Sequence, residues 1–179
     1  IARHYGAEAP FLRPKELAED QSTDIEFMEH LIGWLSENEK AVPEFFVHLR
    51  PTHPLRDAHF ITRAIEKMQR DGTATSLRSA YVAANTPYKW FQMGEEQYFE
   101  SIVKGQTLDE ANNPRQAYPD VYVPDGYVDI LRTSFIVESG LLHGDRMIGY
   151  VVPCGIDIDA GNDLEYLEYY LKTHRHDLA

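Results

Sequence analysis

Glu44-Phe-Phe-Val-His-Leu-Arg-Pro-Thr-His-Pro-Leu-Arg-Asp57 is the stretch that decides the fold. Glu44 to Leu49 is dense in aromatic and β-branched residues, which predicts a short buried strand. Pro51 and Pro54 stop it and hold the next residues extended or turned. Asp57 is a good N-cap for Ala58 to Gln69, where Phe60, Ile61, Ala64, Ile65 and Met68 share one helical face. Strand, stiff loop and helix form the half-unit of an α/β sheet, and ligands in such sheets sit outside the carboxyl ends of the strands. Arg50, Thr52, His53 and Arg56 are therefore expected at that edge, unless the loop is an ordinary connection with solvated arginines.

Outward from this stretch the pattern repeats. Ser22 or Thr23 caps a helix, with Glu26 placed to close a capping box. Ile25, Met28, Leu31, Ile32 and Leu35 recur at helical spacing, so Met28 and Trp34 read as core or rim. Ser76 to Ala84 and Met147 to Val152 read as strands. Trp90 to Met93 and Tyr98 to Val103 suggest a two-stranded excursion, and Gly105 to Pro119 a long polar loop. Val121 to Val123 and Tyr127 to Leu131 flank Pro124-Asp-Gly126, a strong turn signal. Thr133 is expected to cap a short helix ended by Gly140, and a last helix spans about Asn162 to Thr173. Ile1 to Gly6 resembles the last turn of a helix ending at a glycine cap. Alternating strands and helices predict one α/β domain with a mainly parallel Rossmann-like sheet flanked by helices and an inserted β arm over about residues 85–125.

Composition narrows the partners. With 17 Lys and Arg against 29 Asp and Glu, the net charge of −12 argues against nucleic-acid or anionic-membrane binding. A single nucleotide held by a few local arginines remains compatible. The lone Cys154 excludes an intramolecular disulfide, reads as structural beside Pro153, and fits a reducing cytoplasm. No apolar run approaches the ~20 residues a membrane helix needs.

Asp157-Ile-Asp159 is the sharpest chemical signal. In an extended segment both carboxylates lie on one side, while Ile156 and Ile158 face the core. Their repulsion is relieved by a hard cation such as Mg2+, which takes one or two carboxylates together with substrate phosphates. Against this, Asp159 or Asn162 would merely cap the last helix, and Asp163 needs only its favourable place near the helix dipole. Arg115 is suited to a bidentate grip on a carboxylate, or is a solvated loop arginine. Lys89 is an anion contact or a snorkelling surface lysine. Nothing pairs His53 with a nucleophile, His174 and His176 sit in the tail, and the chain has no glycine-rich phosphate loop.

In order along the chain, Tyr5 to Asp20, His48-Leu-Arg-Pro-Thr-His-Pro-Leu-Arg56, Pro114-Arg-Gln-Ala-Tyr-Pro119, Pro124-Asp-Gly126 and Gly155-Ile-Asp-Ile-Asp159 resemble the acylneuraminate (CMP-sialic acid synthetase type) cytidylyltransferases. The resemblance implies that CTP and a nonulosonic 2-keto sugar acid give the CMP-sugar and pyrophosphate. It makes Asp157 and Asp159 the Mg2+ ligands and catalytic pair, and sets Arg50 and Asp125 toward the sugar in a site that includes Thr52. It also implies a homodimer built through the arm, with Lys89 and Arg115 reaching the partner's sugar-acid carboxylate. Arg50, His53 and Asp125 stand where the family has glutamine, serine and asparagine, which leaves the particular sugar acid open. Asp129 stands where the family has an apolar residue. The family's first strand and glycine-containing nucleotide loop are expected upstream of Ile1, so residues 1–179 alone are not expected to turn over CTP. Two other readings remain: a nucleotidyltransferase of the same fold acting on another sugar or sugar phosphate, and a non-catalytic sugar-acid-binding or dimerisation module.

Overall fold

The computed structural model describes residues 1–153 and 155–174; Cys154 and His176 lie outside them. Four strands form the main sheet: β1 (Phe45–His48), β2 (Ser76–Val82), β5 (Tyr122–Arg132) and β6 (Met147–Val151), in the order β1-β5-β2-β6. β6 runs parallel to β2, whereas β5 is antiparallel to both β1 and β2. Three strands thus share one direction and a reversed strand lies between two of them. The excursion after β2 explains the reversal. It leaves and rejoins the sheet at the carboxyl edge of β2, so no crossover is made and β5 must run back.

α2 (Ala58–Arg70) covers one face of the sheet and α1 (Asp24–Asn38) and α3 (Thr133–Ser139) the other. Period-two alternation along β5 supplies both: Val128 and Ile130 pack with Leu77, Ala64 and Met68, while Leu131 packs with Met28 and Ile136. Burying each large apolar side chain stabilises the fold by about 1.5–3 kcal/mol. Helix ends follow local chemistry. Glu26 accepts from the N–H and hydroxyl of Thr23, Asp57 accepts from His59 N–H, and Gly140 takes a left-handed φ of 66° after α3. Thr133 departs from its expected role: it lies inside α3 and its hydroxyl donates to Pro43 O at 2.6 Å. The arm is a hairpin of β3 (Phe91–Met93) and β4 (Phe99–Ser101). The long loop after it contains two 3-10 turns, Asp109–Asn112 and Arg115–Ala117. α4 (Gly161–Thr173) closes the described chain.

The predicted turn at Pro124-Asp-Gly126 is absent, because β5 runs through it as one strand with a wide bulge. Arg78 pairs with Asp129 but Ala80 pairs with Pro124, so Ser79 alone faces residues 125–128. Gly126 supplies the φ of +69° that the extra residues require. A single hydroxyl closes the gap: Ser79 Oγ donates to Asp125 Oδ1 at 2.6 Å and accepts from Val128 N–H at 2.9 Å. Ser79 is fully buried, so removing its hydroxyl leaves the buried Val128 N–H without its acceptor and takes one of two donors from the Asp125 carboxylate. Ser79→Ala is expected to lower stability by about 1–3 kcal/mol or more in urea denaturation; an unchanged midpoint would show the bulge is held otherwise.

Candidate functional site

β1, β2 and β6 end at one edge, where the loop 49–57, the arm root, the β5 bulge and the segment 155–159 meet. Arg56 fastens the first of these to the bulge. Its Nε donates to Tyr127 O at 2.7 Å, and its Nη2 donates to Gly126 O at 3.2 Å and to Arg50 O. Tyr127 answers from the other side, its hydroxyl accepting from Asp57 N–H and donating to Asp57 O. The proline-braced loop is thereby fixed to the sheet by two side chains, Arg56 and Tyr127, each bonded to main-chain atoms.

The segment 155–159 docks on that loop. Ile158 N–H donates to Thr52 O at 2.8 Å, a strand-like contact that fixes which side chains face outward. Asp157 and Asp159 are exposed while Ile156 and Ile158 are half-buried, matching the expected alternation. Neither Asp159 nor Asn162 is the helix cap. Asp163 instead reaches back from the first turn of α4 and accepts from the N–H groups of Asp159 and Ala160 at 3.0 and 2.8 Å. Both acids are left facing solvent beside the loop. No group of three or more His, Cys, Asp or Glu converges on a metal position among the described residues. Two exposed carboxylates fit a magnesium ion that takes its remaining oxygens from polyphosphate and water.

Asp125, read as sugar-facing, is turned inward. It is 7% exposed, and its Oδ1 holds Ser79 and also accepts from Tyr127 N–H at 3.0 Å. Its position as a bulge residue, not its charge, brings it to this edge. Arg50 does not pair with Asp125. Its stem crosses Gly126, where a Cβ would meet Arg50 Cδ at 2.7 Å. Its guanidinium lies 2.6 Å from Asp24 at the start of α1 and 3.6 Å from Asp129. Thr52 is exposed beside it. Lys89 is half-buried in the 3-10 turn Pro87–Lys89. Arg115 is exposed and donates to Ala83 O of its own chain at 3.0 Å, lining a cavity of about 250 Å³ with Thr86, Tyr118 and Asp120. Lys89 and Arg115 therefore sit at the arm root. Around them Trp90, Phe91, Met93, Tyr98 and Phe99 are exposed.

Behind the loop lies a charged layer. Asp129 is 2% exposed and stands 3.6 Å from both Arg50 and Arg78. Its burial pushes the carboxyl above the usual range, against the pull of Arg78 and Arg50. Burial likewise holds His48, His53 and His143 below the ordinary imidazole range, reinforced by Arg50 at His48, Arg56 at His53 and Arg78 at His143. An aspartate in a covered strand is thus explained by two arginines reaching it from β2 and from the loop, a pairing between elements that sequence spacing does not reveal.

No protein-family model matches this chain. It is 38% identical over 167 residues, 92% of its length, to a protein of Escherichia coli named N-acylneuraminate cytidylyltransferase. The chain spans 37% of that relative's length. Its fold resembles a CMP:2-keto-3-deoxy-manno-octonic acid synthetase complexed with CTP, at a TM-score of 0.60 and 13% identity, over 96% of this chain and 75% of the other. It also resembles 4-diphosphocytidyl-2C-methyl-D-erythritol synthase of Anaerococcus prevotii, at a TM-score of 0.53 and 12% identity, over 85% and 68% of the two chains.

The charged layer has a measurable pH signature. A histidine whose folded pKa is depressed contributes stability above its unfolded value, near 6.5, and loses it as pH falls through the folded value. His48 is such a group, so the stability of the wild type relative to His48→Asn should shrink between about pH 7 and pH 5. Urea midpoints taken across that range check this; a gap that widens in acid would mean His48 is charged in the folded protein.

Proposed function

We propose, for a chain that belongs to the acylneuraminate cytidylyltransferase family, that the protein carrying it transfers the cytidylyl group of CTP to a nonulosonic 2-keto sugar acid. The observation that supports this most is the outward-facing Asp157/Asp159 pair, docked by Ile158 N–H on Thr52 O beside the braced loop. The sugar's anomeric hydroxyl attacks the α-phosphorus of CTP; its oxygen forms the new P–O bond and gives up its proton to water, the bond to the β-phosphate oxygen breaks, and pyrophosphate leaves. Magnesium held by Asp157 and Asp159 would supply neutralisation of the triphosphate charge.

The chain's own residues orient the substrates. Arg50 and Thr52 present donors at the strand edge, and the pair of acids keeps the polyphosphate to one side of them. Lys89 and Arg115, at the root of an arm whose apolar side chains are exposed, are proposed to reach the carboxylate of a sugar acid in the site of a second copy. That arrangement makes the protein a homodimer. Asp125 acts by shaping the bulge under Arg50. A glycine-rich phosphate loop does not occur among residues 1–179, so the triphosphate cradle is proposed to come from sequence outside them. No helix among the described residues is long and apolar enough to cross a membrane, and a cytoplasmic setting, where CTP is made, suits the reaction.

Pyrophosphate release by the intact protein that carries this chain, from CTP and Mg2+ with a panel of eight- and nine-carbon 3-deoxy-2-keto sugar acids, tests the proposal. Release with at least one acid is expected, falling on the order of a hundredfold or more in Asp157→Ala and in Asp159→Ala. Sugar-phosphate-dependent release, or full activity in both variants, would contradict it.

A further inference from the structure

His53 is 1% exposed, and neither ring nitrogen has a hydrogen-bond partner among the described residues. A buried imidazole without partners is unusual, because it carries a polar desolvation cost with nothing to offset it. What the ring does have is shape. One side meets Tyr127 edge-on, centroids 5.0 Å apart, and Tyr127 is itself tied to Asp57. Against the ring lies Gly155, so near that a Cβ there would fall 2.1 Å from His53 Cε1 and 2.4 Å from Nε2. Three residues later Ile158 N–H reaches Thr52 O, adjacent in sequence to His53. The far end of the same segment is held by Asp163 through the N–H groups of Asp159 and Ala160.

We propose that His53 is a positioning residue: its ring is the platform on which Gly155 rests, and with Asp163 it fixes where Asp157 and Asp159 point. The segment 155–159 has no strand or helix of its own to place it. Its path is set by the Gly155–His53 contact and the Thr52 bond at one end, and by the Asp163 carboxylate at the other. The role is mechanical, acting through packing. Its consequence for a bound cation rests on the functional reading above, whereas its consequence for the loop does not.

A double-substitution cycle separates the two. Gly155→Ala puts a methyl group into the His53 ring and should speed hydrogen exchange of the Ile158 amide by about tenfold or more, with the core amides of Leu77 and Ile130 unchanged. Trimming the ring in His53→Ala makes room for that methyl group, so adding Gly155→Ala in the His53→Ala background should change Ile158 exchange by less than about threefold. Effects that simply add would overturn the proposal. Mn2+ affinity of the same proteins, read by electron paramagnetic resonance, should weaken in Gly155→Ala and recover in the double variant. Weakened loop protection with Mn2+ affinity unchanged from a wild type that does bind the ion would overturn positioning of the acids. A wild type that binds no Mn2+ would count against the cation site, and the exchange cycle alone would then decide the loop.

Discussion

One guanidinium sets the geometry of the functional edge. Arg56 donates to backbone oxygens of Tyr127, Gly126 and Arg50, and so joins the loop after β1 to the bulge in β5. The planar fork of arginine suits this, because several N–H vectors diverge from one rigid group. Burial draws Arg56 toward a lower pKa, yet no reachable pH discharges it. Around this fixed point the other parts find their places. Tyr127 holds Asp57, which caps α2; His53 fills the space beneath; and the acid-bearing segment lies against His53 and Thr52. The loop is stiff through its prolines, but it is positioned through Arg56.

The second organising constraint is electrostatic. An acidic chain places two arginines, Arg50 and Arg78, around the buried Asp129, and closes the group with Asp24 on the surface side. The 3.6 Å separations are loose, and Asp129 Oδ1 and Arg78 Nε make no hydrogen bond, so this layer adds little net stability while fixing the direction of Arg50. It also moderates Arg50 itself: a guanidinium already facing two carboxylates presents a compensated charge, milder than a free cation.

Much of this was legible in the sequence where a local pattern met a local cause. Hydrophobic periodicity located α1, α2 and the strands, the proline pair located the loop edge, and the two-residue spacing of Asp157 and Asp159 put both acids outward. Pro124-Asp-Gly126 misled because the left-handed glycine that ends a hairpin also serves a wide bulge, and only Ser79 on another strand distinguishes them. Asp125 looked available for the same reason, since its partner hydroxyl is 46 residues away. Asp163 read as a dipole-favouring residue, yet its carboxylate also secures the backbone of the acid segment. The direction of β5 could not be read from alternation, because it depends on where the arm returns the chain.

The central claim is that a single arginine ties the loop after β1 to the bulge in β5, and that the segment 155–159 keeps its place because it docks on that loop. Arg56→Lys keeps the charge but replaces a divergent fork by one ammonium, which cannot meet all three carbonyls. Hydrogen exchange across the protein tests the claim most directly. The account predicts that amides in 50–57, in 125–128 and at Ile158 lose protection together, while Leu77 and Ile130 keep theirs. Loosening confined to residues 50–57, with the bulge and Ile158 unaffected, would contradict it.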